Sequence, residues 1–203
     1  LNVWWRDEPL ISREQYLLEI LYRAHRQSCF RPNPSSVTVI NAAIGSGDIG
    51  KAIAAAILTL GGKHAPLEQT HQFLSGANPS GEVGSILRQN HKVPGWGGSF
   101  QQDGIDPIWS GVASSLEKWH PELMRKLNAV TVELHQHGKA IYPNPSAFTA
   151  AVAIALQVPA KLAVYLFISA RLDAWAEIAW KQETGETNAE STSGSLPAEG
   201  AHN

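Results

Sequence analysis

The chain has one cysteine, one methionine, no long uninterrupted apolar run and no excess of positive charge. Each shortage removes a class of protein. With Cys29 alone, neither an intrachain disulfide nor a multi-cysteine metal site can form, and the residue reads as a small buried hydrophobe. Sixteen basic and 18 acidic residues leave a formal charge of −2, so no global attraction to nucleic acid or to an anionic membrane is expected. The seven tryptophans are scattered and have no interleaved basic patch, which speaks against base stacking. The longest apolar stretch, 162–180, is interrupted by Arg171, Asp173 and Glu177, and reads as a buried helix rather than a membrane span. Leu1 to Asp7 holds no apolar run and one basic residue, so no signal peptide is expected there and the expected location is cytoplasmic. Period-two alternation is also missing, which argues against a sheet.

What remains is a set of helical signals. At 203 residues and 43% hydrophobic content, the chain suits one domain. Ser12-Arg13-Glu14-Gln15 fits a capping box, with Leu17, Leu18, Leu21 and Tyr22 at helical spacing behind it as far as Arg26. A second helix is expected from Asp48 to Leu60, ended by Gly61-Gly62. Further helices are expected from Pro66 to Ser75, from Glu82 to Asn90 with Ser80 as cap, and over 108–119 and 121–137. Another follows from Ser146 to Leu156, and the last runs from Pro159 to Lys181. Residues 93–107 form the richest turn region. The reading is all-α: a helical bundle over 1–181, then a polar acidic tail over 182–203. That tail has four glutamates and no lysine or arginine, too little apolar surface to order itself.

Several short segments carry chemistry. Gly61-Gly62-Lys63-His64-Ala65-Pro66 follows an alanine-rich helix. Pro94-Gly95-Trp96-Gly97-Gly98 precedes Asp106-Pro107. Pro143-Asn144-Pro145-Ser146-Ala147-Phe148 follows, and then Ala170-Arg171-Leu172-Asp173-Ala174-Trp175-Ala176. Taken in this order, over about residues 28–180, they resemble the active-site motifs of the citrate synthase and citryl-CoA lyase family, in a shortened and divergent form. That resemblance implies a truncated citrate synthase-like fold and coenzyme A or an acyl-CoA as ligand, with no metal. It also implies a homodimer or higher homo-oligomer, with helix Asp48–Leu60 as a candidate contact. His64 matches the histidine that donates to the thioester oxygen, and Arg171 matches an arginine that clamps a substrate carboxylate. Pro94, Gly95, Trp96, Gly97 and Gly98 match the loop that approaches coenzyme A. The family's hard step removes a proton beside a thioester, which needs a carboxylate base and an aimed hydrogen-bond donor.

The departures fall where that chemistry is done. Gly98 stands in the position of the second histidine, Ile108 in that of an arginine, and Ser146 in that of the catalytic aspartate. A serine takes no proton unless it is first deprotonated, and helix capping accounts for Ser146 better. Asp103, Asp106 and Glu68 are the conceivable substitutes. His64 read without the resemblance is a histidine satisfied by a backbone group at a helix start. Arg171 read alone is an ion-pair partner of Asp173 or Glu177. His91 reads as a loop residue, and His135 and His137 as members of a solvated face, two apart and without a third ligand. Gly45-Ser46-Gly47-Asp48-Ile49-Gly50 imitates a dinucleotide fingerprint but reads as a turn and helix cap. Two functions follow: an acyl-CoA-type site performing carbon–carbon cleavage or formation, or thioester hydrolysis; alternatively, a scaffold or assembly subunit without catalysis.

Overall fold

The computed structural model describes residues 3–61, 64–98 and 104–186. Gly62, Lys63, Asp103 and the tail from 187 onward lie outside the described residues. Within them are ten α-helices and two 3-10 turns, with no named strand. The helices are α1 (Ser12–Cys29), α2 (Pro34–Ser46), α3 (Ile49–Leu58), α4 (Leu67–Ser75), α5 (Pro79–Arg88), α6 (Ser110–Trp119), α7 (Pro121–Gln136), α8 (Pro145–Ala155), α9 (Ala163–Ser169) and α10 (Leu172–Thr184). The turns are Pro107–Trp109 and Ala160–Leu162. No described helix is long and apolar enough to cross a membrane.

Helix α8 is the axis of the bundle. Its sequence PSAFTAAVAIA is apolar or small on every side, and Ser146 through Ala153 are all buried. A helix that is hydrophobic all round has no face to give to water, and here α1, α4, α6, α7 and α9 surround it. Phe148 stacks on Trp109 with centroids 5.6 Å apart and planes within 7°. A second, smaller cluster joins α2, α3 and α10 through Val39, Ala43, Ala52, Ala56, Trp175 and Ile178. The small residues of α3 let its neighbours approach closely.

Several element ends differ from the sequence reading, each for a local reason. Ile11, not Ser12, is the first cap, and Glu14 rather than Gln15 closes it by accepting from the Ile11 N–H at 2.9 Å. Asn144 caps α8 by accepting from the N–H groups of Ser146 and Ala147, so Ser146 sits inside the first turn. Asn78 likewise caps α5, ahead of Ser80. Helix α2 was not expected from the sequence; Asn33 caps it, and its Gly47 end and Asp48 start of α3 form the turn that 45–50 suggested. The expected long final helix is two helices, broken at Ala170–Arg171.

Candidate functional site

That break makes the site. Arg171 occupies the cap position of α10 with φ −111°, so its side chain leaves the helix surface and turns inward between α1 and α2. It is 3% exposed. Its Nε donates to His25 Nδ1 at 3.0 Å, one Nη to Ser35 Oγ at 3.3 Å and the other to Ser28 Oγ at 3.3 Å. The Phe167 ring lies 4.0 Å below the guanidinium, a cation–π contact. Every one of these partners is neutral. Neither Asp173 nor Glu177 pairs with it; Glu177 holds Arg26 and Lys181 instead, and Asp173 is exposed. Among the described residues, no carboxylate forms an ion pair with Arg171. Burial pulls its pKa down to about 10, which still leaves it charged at neutral pH.

His25 orients this cation. A guanidinium nitrogen only donates, so Nδ1 of His25 carries no proton and its Nε2–H donates to Thr149 Oγ1 at 2.7 Å. The Thr149 hydroxyl then donates to the Pro145 carbonyl at 2.7 Å. Trp109 and Phe167 close over the imidazole edge-on. Burial first, and the Arg171 charge second, hold the His25 pKa well below 6.5. Sequence reasoning passed over His25, although the signal was present: it falls on the stripe Leu17, Leu21, His25, Cys29, one polar residue in the buried face of α1.

Arg171 lines a cavity of about 90 Å³. Ser28 and Asn33 share its wall, Arg31 and Asp106 form an ion pair beside it, and Gly98 and Asn144 complete the far side. The glycine loop reaches this point through a short ladder to the connector before α8. Gly97 N–H donates to the Tyr142 carbonyl at 3.1 Å, Asn144 N–H to the Gly95 carbonyl at 2.9 Å, and Asn144 Nδ2 to the Gly97 carbonyl at 2.8 Å. Within the loop the roles divide. Gly95 is packed against α4 and α8, and Trp96 is buried with Nε1–H donating to Thr131 Oγ1 at 3.0 Å. Gly98 alone of the five faces the cavity, and a Cβ there would meet nothing within 4 Å.

His64 lies beside this arrangement rather than in the cavity wall. Gly61 and His64 exchange two backbone hydrogen bonds, at 2.7 and 2.9 Å. Ala65 follows at φ +54°, a left-handed conformation that costs a non-glycine residue about 1–2 kcal/mol. His64 Nε2 is buried and has no hydrogen-bond partner among the described residues. Burial, then the Arg171 charge, lowers its pKa. Glu68 is exposed on α4 and His91 is exposed in its loop. His135 packs edge-on against Tyr142, and His137 faces Glu133; no group of three potential metal ligands occurs among the described residues.

The histidines set an acid limit on the fold. For His25 the folded pKa is lowered and the unfolded value is about 6.5. The unfolded chain therefore binds the proton first, and stability falls as pH drops below about 6.5, with no contribution above it. His64, His71 and His120 shift in the same direction. Urea unfolding at pH 7.5 and 5.5 is expected to show a loss of roughly 1 kcal/mol from His25 alone, and His25→Gln is expected to remove that part. A flat profile between the two pH values would contradict the buried neutral imidazole.

The all-α bundle has a citrate synthase-type fold, as the solved structures similar to it show. A structural comparison gives the particular neighbours. The chain superposes on citryl-CoA lyase from Hydrogenobacter thermophilus with a TM-score of 0.73 and 20% identity, covering 97% of this chain and 81% of that one. Citrate synthase from Thermotoga maritima MSB8 gives 0.73 and 19%, covering 94% and 55%. ATP citrate lyase from Methanothrix soehngenii, in complex with citrate and coenzyme A, gives 0.72 and 14%, covering 96% and 36%. This chain thus spans about half of the synthase and about a third of the ATP citrate lyase. No family model and no curated protein matches the sequence.

Proposed function

We propose that this chain is a citrate synthase-like carboxylate- and acyl-CoA-binding protein that catalyses citryl-CoA lyase-like carbon–carbon cleavage or formation, or thioester hydrolysis. One observation carries the reading: Arg171 is a buried cation with neutral partners only, and it opens onto a cavity. A guanidinium in that state is a preformed site for a carboxylate, which it matches in a two-pronged fork. His64, beside the cavity and with its buried Nε2 unpartnered among the described residues, is the second polar group of this reading and would donate to a thioester oxygen. Coenzyme A fits the same scheme by its presence with citrate in a structural neighbour. Gly98 is the part of the glycine loop that would meet the acyl group. Asp106 is the carboxylate in the cavity wall and takes the role of proton acceptor. Copies of the chain pair through the α3 face, as a homodimer or higher homo-oligomer.

Calorimetry with citrate and then with coenzyme A or acetyl-CoA tests the reading. Saturable citrate binding is expected, with acetyl-CoA binding weakened in His64→Ala. No binding of either by the parent chain would sink it. A second reading, a binding or assembly subunit without turnover, draws on Gly98 and Ser146, which offer neither the donor nor the carboxylate of the family's motifs. Gly98→His separates the two. A Cβ at Gly98 meets nothing within 4 Å, so stability is expected to change by less than about 0.5 kcal/mol. A general acid at the reacting atoms contributes a hundredfold or more, so a rise of roughly tenfold in citryl-CoA cleavage is expected if turnover exists. An unchanged, absent rate favours the subunit without catalysis.

A further inference from the structure

The start of α1 and the end of α6 form a second cleft, of about 570 Å³, that shares no wall residue with the Arg171 cavity. Arg13 and Tyr16 line it from α1, and Ser114, Ser115, Lys118 and Trp119 from α6. Its walls hold two cations and no carboxylate, in a chain whose formal charge is −2. Neither cation forms an ion pair among the described residues. Glu14, next to Arg13, is held by Arg6 and by the Ile11 N–H. Lys118 Nζ lies 5.4 Å from the centre of the Trp119 ring. Tyr16 and Trp119 meet edge to face across the two helices, with centroids 5.6 Å apart and planes at 89°, and half of Tyr16 is open to solvent. The sequence shows no basic patch beside a tryptophan; the packing of α1 on α6 makes a small one.

The serines point the same way. Elsewhere in this chain helical hydroxyls turn back on their own helix: Thr38, Ser46, Thr70, Thr131 and Thr149 each donate to the carbonyl four residues earlier. Ser115 makes no such bond. It is 8% exposed, lines the cleft, and its hydroxyl has no hydrogen-bond partner among the described residues. A nearly buried polar group left unpaired is uncommon and calls for a partner. We propose that this cleft binds a phosphate monoester carried on a planar aromatic ring. The phosphate lies between Arg13 and Lys118 and accepts from Ser115 Oγ. Its three free oxygens match a guanidinium fork, an ammonium and a hydroxyl, whereas a carboxylate has only two. The ring packs against Tyr16 and Trp119, whose π-faces take a planar partner. The volume falls in the range of small-molecule pockets, about 300–1,000 Å³. This site stands apart from the carboxylate reading of Arg171 and does not depend on it.

Phenyl phosphate is the probe, with inorganic phosphate and phenol as its two pieces, titrated calorimetrically into the full chain at low salt. Saturable one-to-one binding of phenyl phosphate is expected, about tenfold tighter than that of either piece. Arg13→Gln and Lys118→Gln are each expected to weaken phenyl phosphate roughly two- to fivefold and to leave phenol unchanged. Ser115→Ala is expected to weaken both phosphates by a similar factor. Tyr16→Leu keeps apolar volume without the ring, and should cut the preference for phenyl phosphate over inorganic phosphate to about threefold or less. Three results overturn the proposal: no saturable binding by the parent, equal affinity for phenyl phosphate and inorganic phosphate, or unchanged affinity in both Arg13→Gln and Lys118→Gln. Arg171→Met is expected to bind phenyl phosphate as the parent does. Loss of binding there would assign the ligand to the other cavity and overturn the proposal as well. Melting temperatures verify folding. Arg13→Lys and Lys118→Arg, which keep the charges, are expected to restore binding to within about twofold of the parent.

Discussion

Arg171→Met is expected to unfold at the same urea concentration as the parent or a higher one, although it removes three hydrogen bonds, two of them buried. Burial pulls the guanidinium's pKa down to about 10, so desolvation weighs on the order of a few kcal/mol against the charged form. Against this stand contacts with His25, Ser28 and Ser35, all neutral, and the face of Phe167. Methionine fills similar volume and carries no charge to desolvate. Its cost is an unsatisfied His25 Nδ1, about 1–3 kcal/mol. The balance gives a variant between equal stability and about 2 kcal/mol of added stability, in line with replacements of buried ions by apolar residues. Equilibrium urea unfolding checks this. A loss of about 3 kcal/mol or more, as when a buried ion pair is broken, would make Arg171 a structural residue and remove the argument that it is kept for a ligand.

Gly95→Ala is expected to destabilise the chain by about 2–5 kcal/mol. Two costs add. Gly95 has φ +87°, where an L side chain is strained by about 1–2 kcal/mol. Its new Cβ would also lie 2.6 Å from Thr70 Cγ2 on α4 and 3.1 Å from Ala147 Cβ on α8. Overpacking of this degree typically adds about 1–3 kcal/mol, because neither neighbour can retreat from the centre of the bundle. Gly98→Ala is the matched control: three residues away, in open space, it should stay within about 0.5 kcal/mol of the parent. Denaturant midpoints of the two variants check the contrast. Equal effects would mean that the loop is not seated between α4 and α8 as described.

Much of the architecture is legible in the sequence because it rests on local signals. The alanine-rich α3, the proline starts of α7 and α8, and the glycine loop all announce themselves. What is hidden depends on contacts distant in sequence. Helix α2 reads PSSVTVINAAIGS, rich in β-branched residues and lacking a clear apolar stripe; it is helical because Asn33 caps it and α3 and α10 cover it. The break at Ala170–Arg171 carries no glycine or proline. Arg171, at this break, reaches across to His25 on α1, 146 residues earlier. The same distance hides the site. Arg171 is visible in its motif, but its neutral partners, the relay through His25 and Thr149, and the approach of Arg31 all come from elements that no local pattern connects. Ser146 shows the converse: a cap was expected of it, and Asn144, two residues earlier, does the capping.

The central claim is that the charge of Arg171 is held in reserve for a carboxylate. Titrating citrate into the full chain and into Arg171→Met, at equal concentration and pH 7.5, tests it most directly. Losing one partner of a buried, hydrogen-bonded charge pair costs about 2–5 kcal/mol. Saturable one-to-one binding is therefore expected in the parent, with a loss of about a hundredfold or more in the variant while it remains folded. Equal citrate affinity in the two proteins, or no heat from the parent, would contradict the claim.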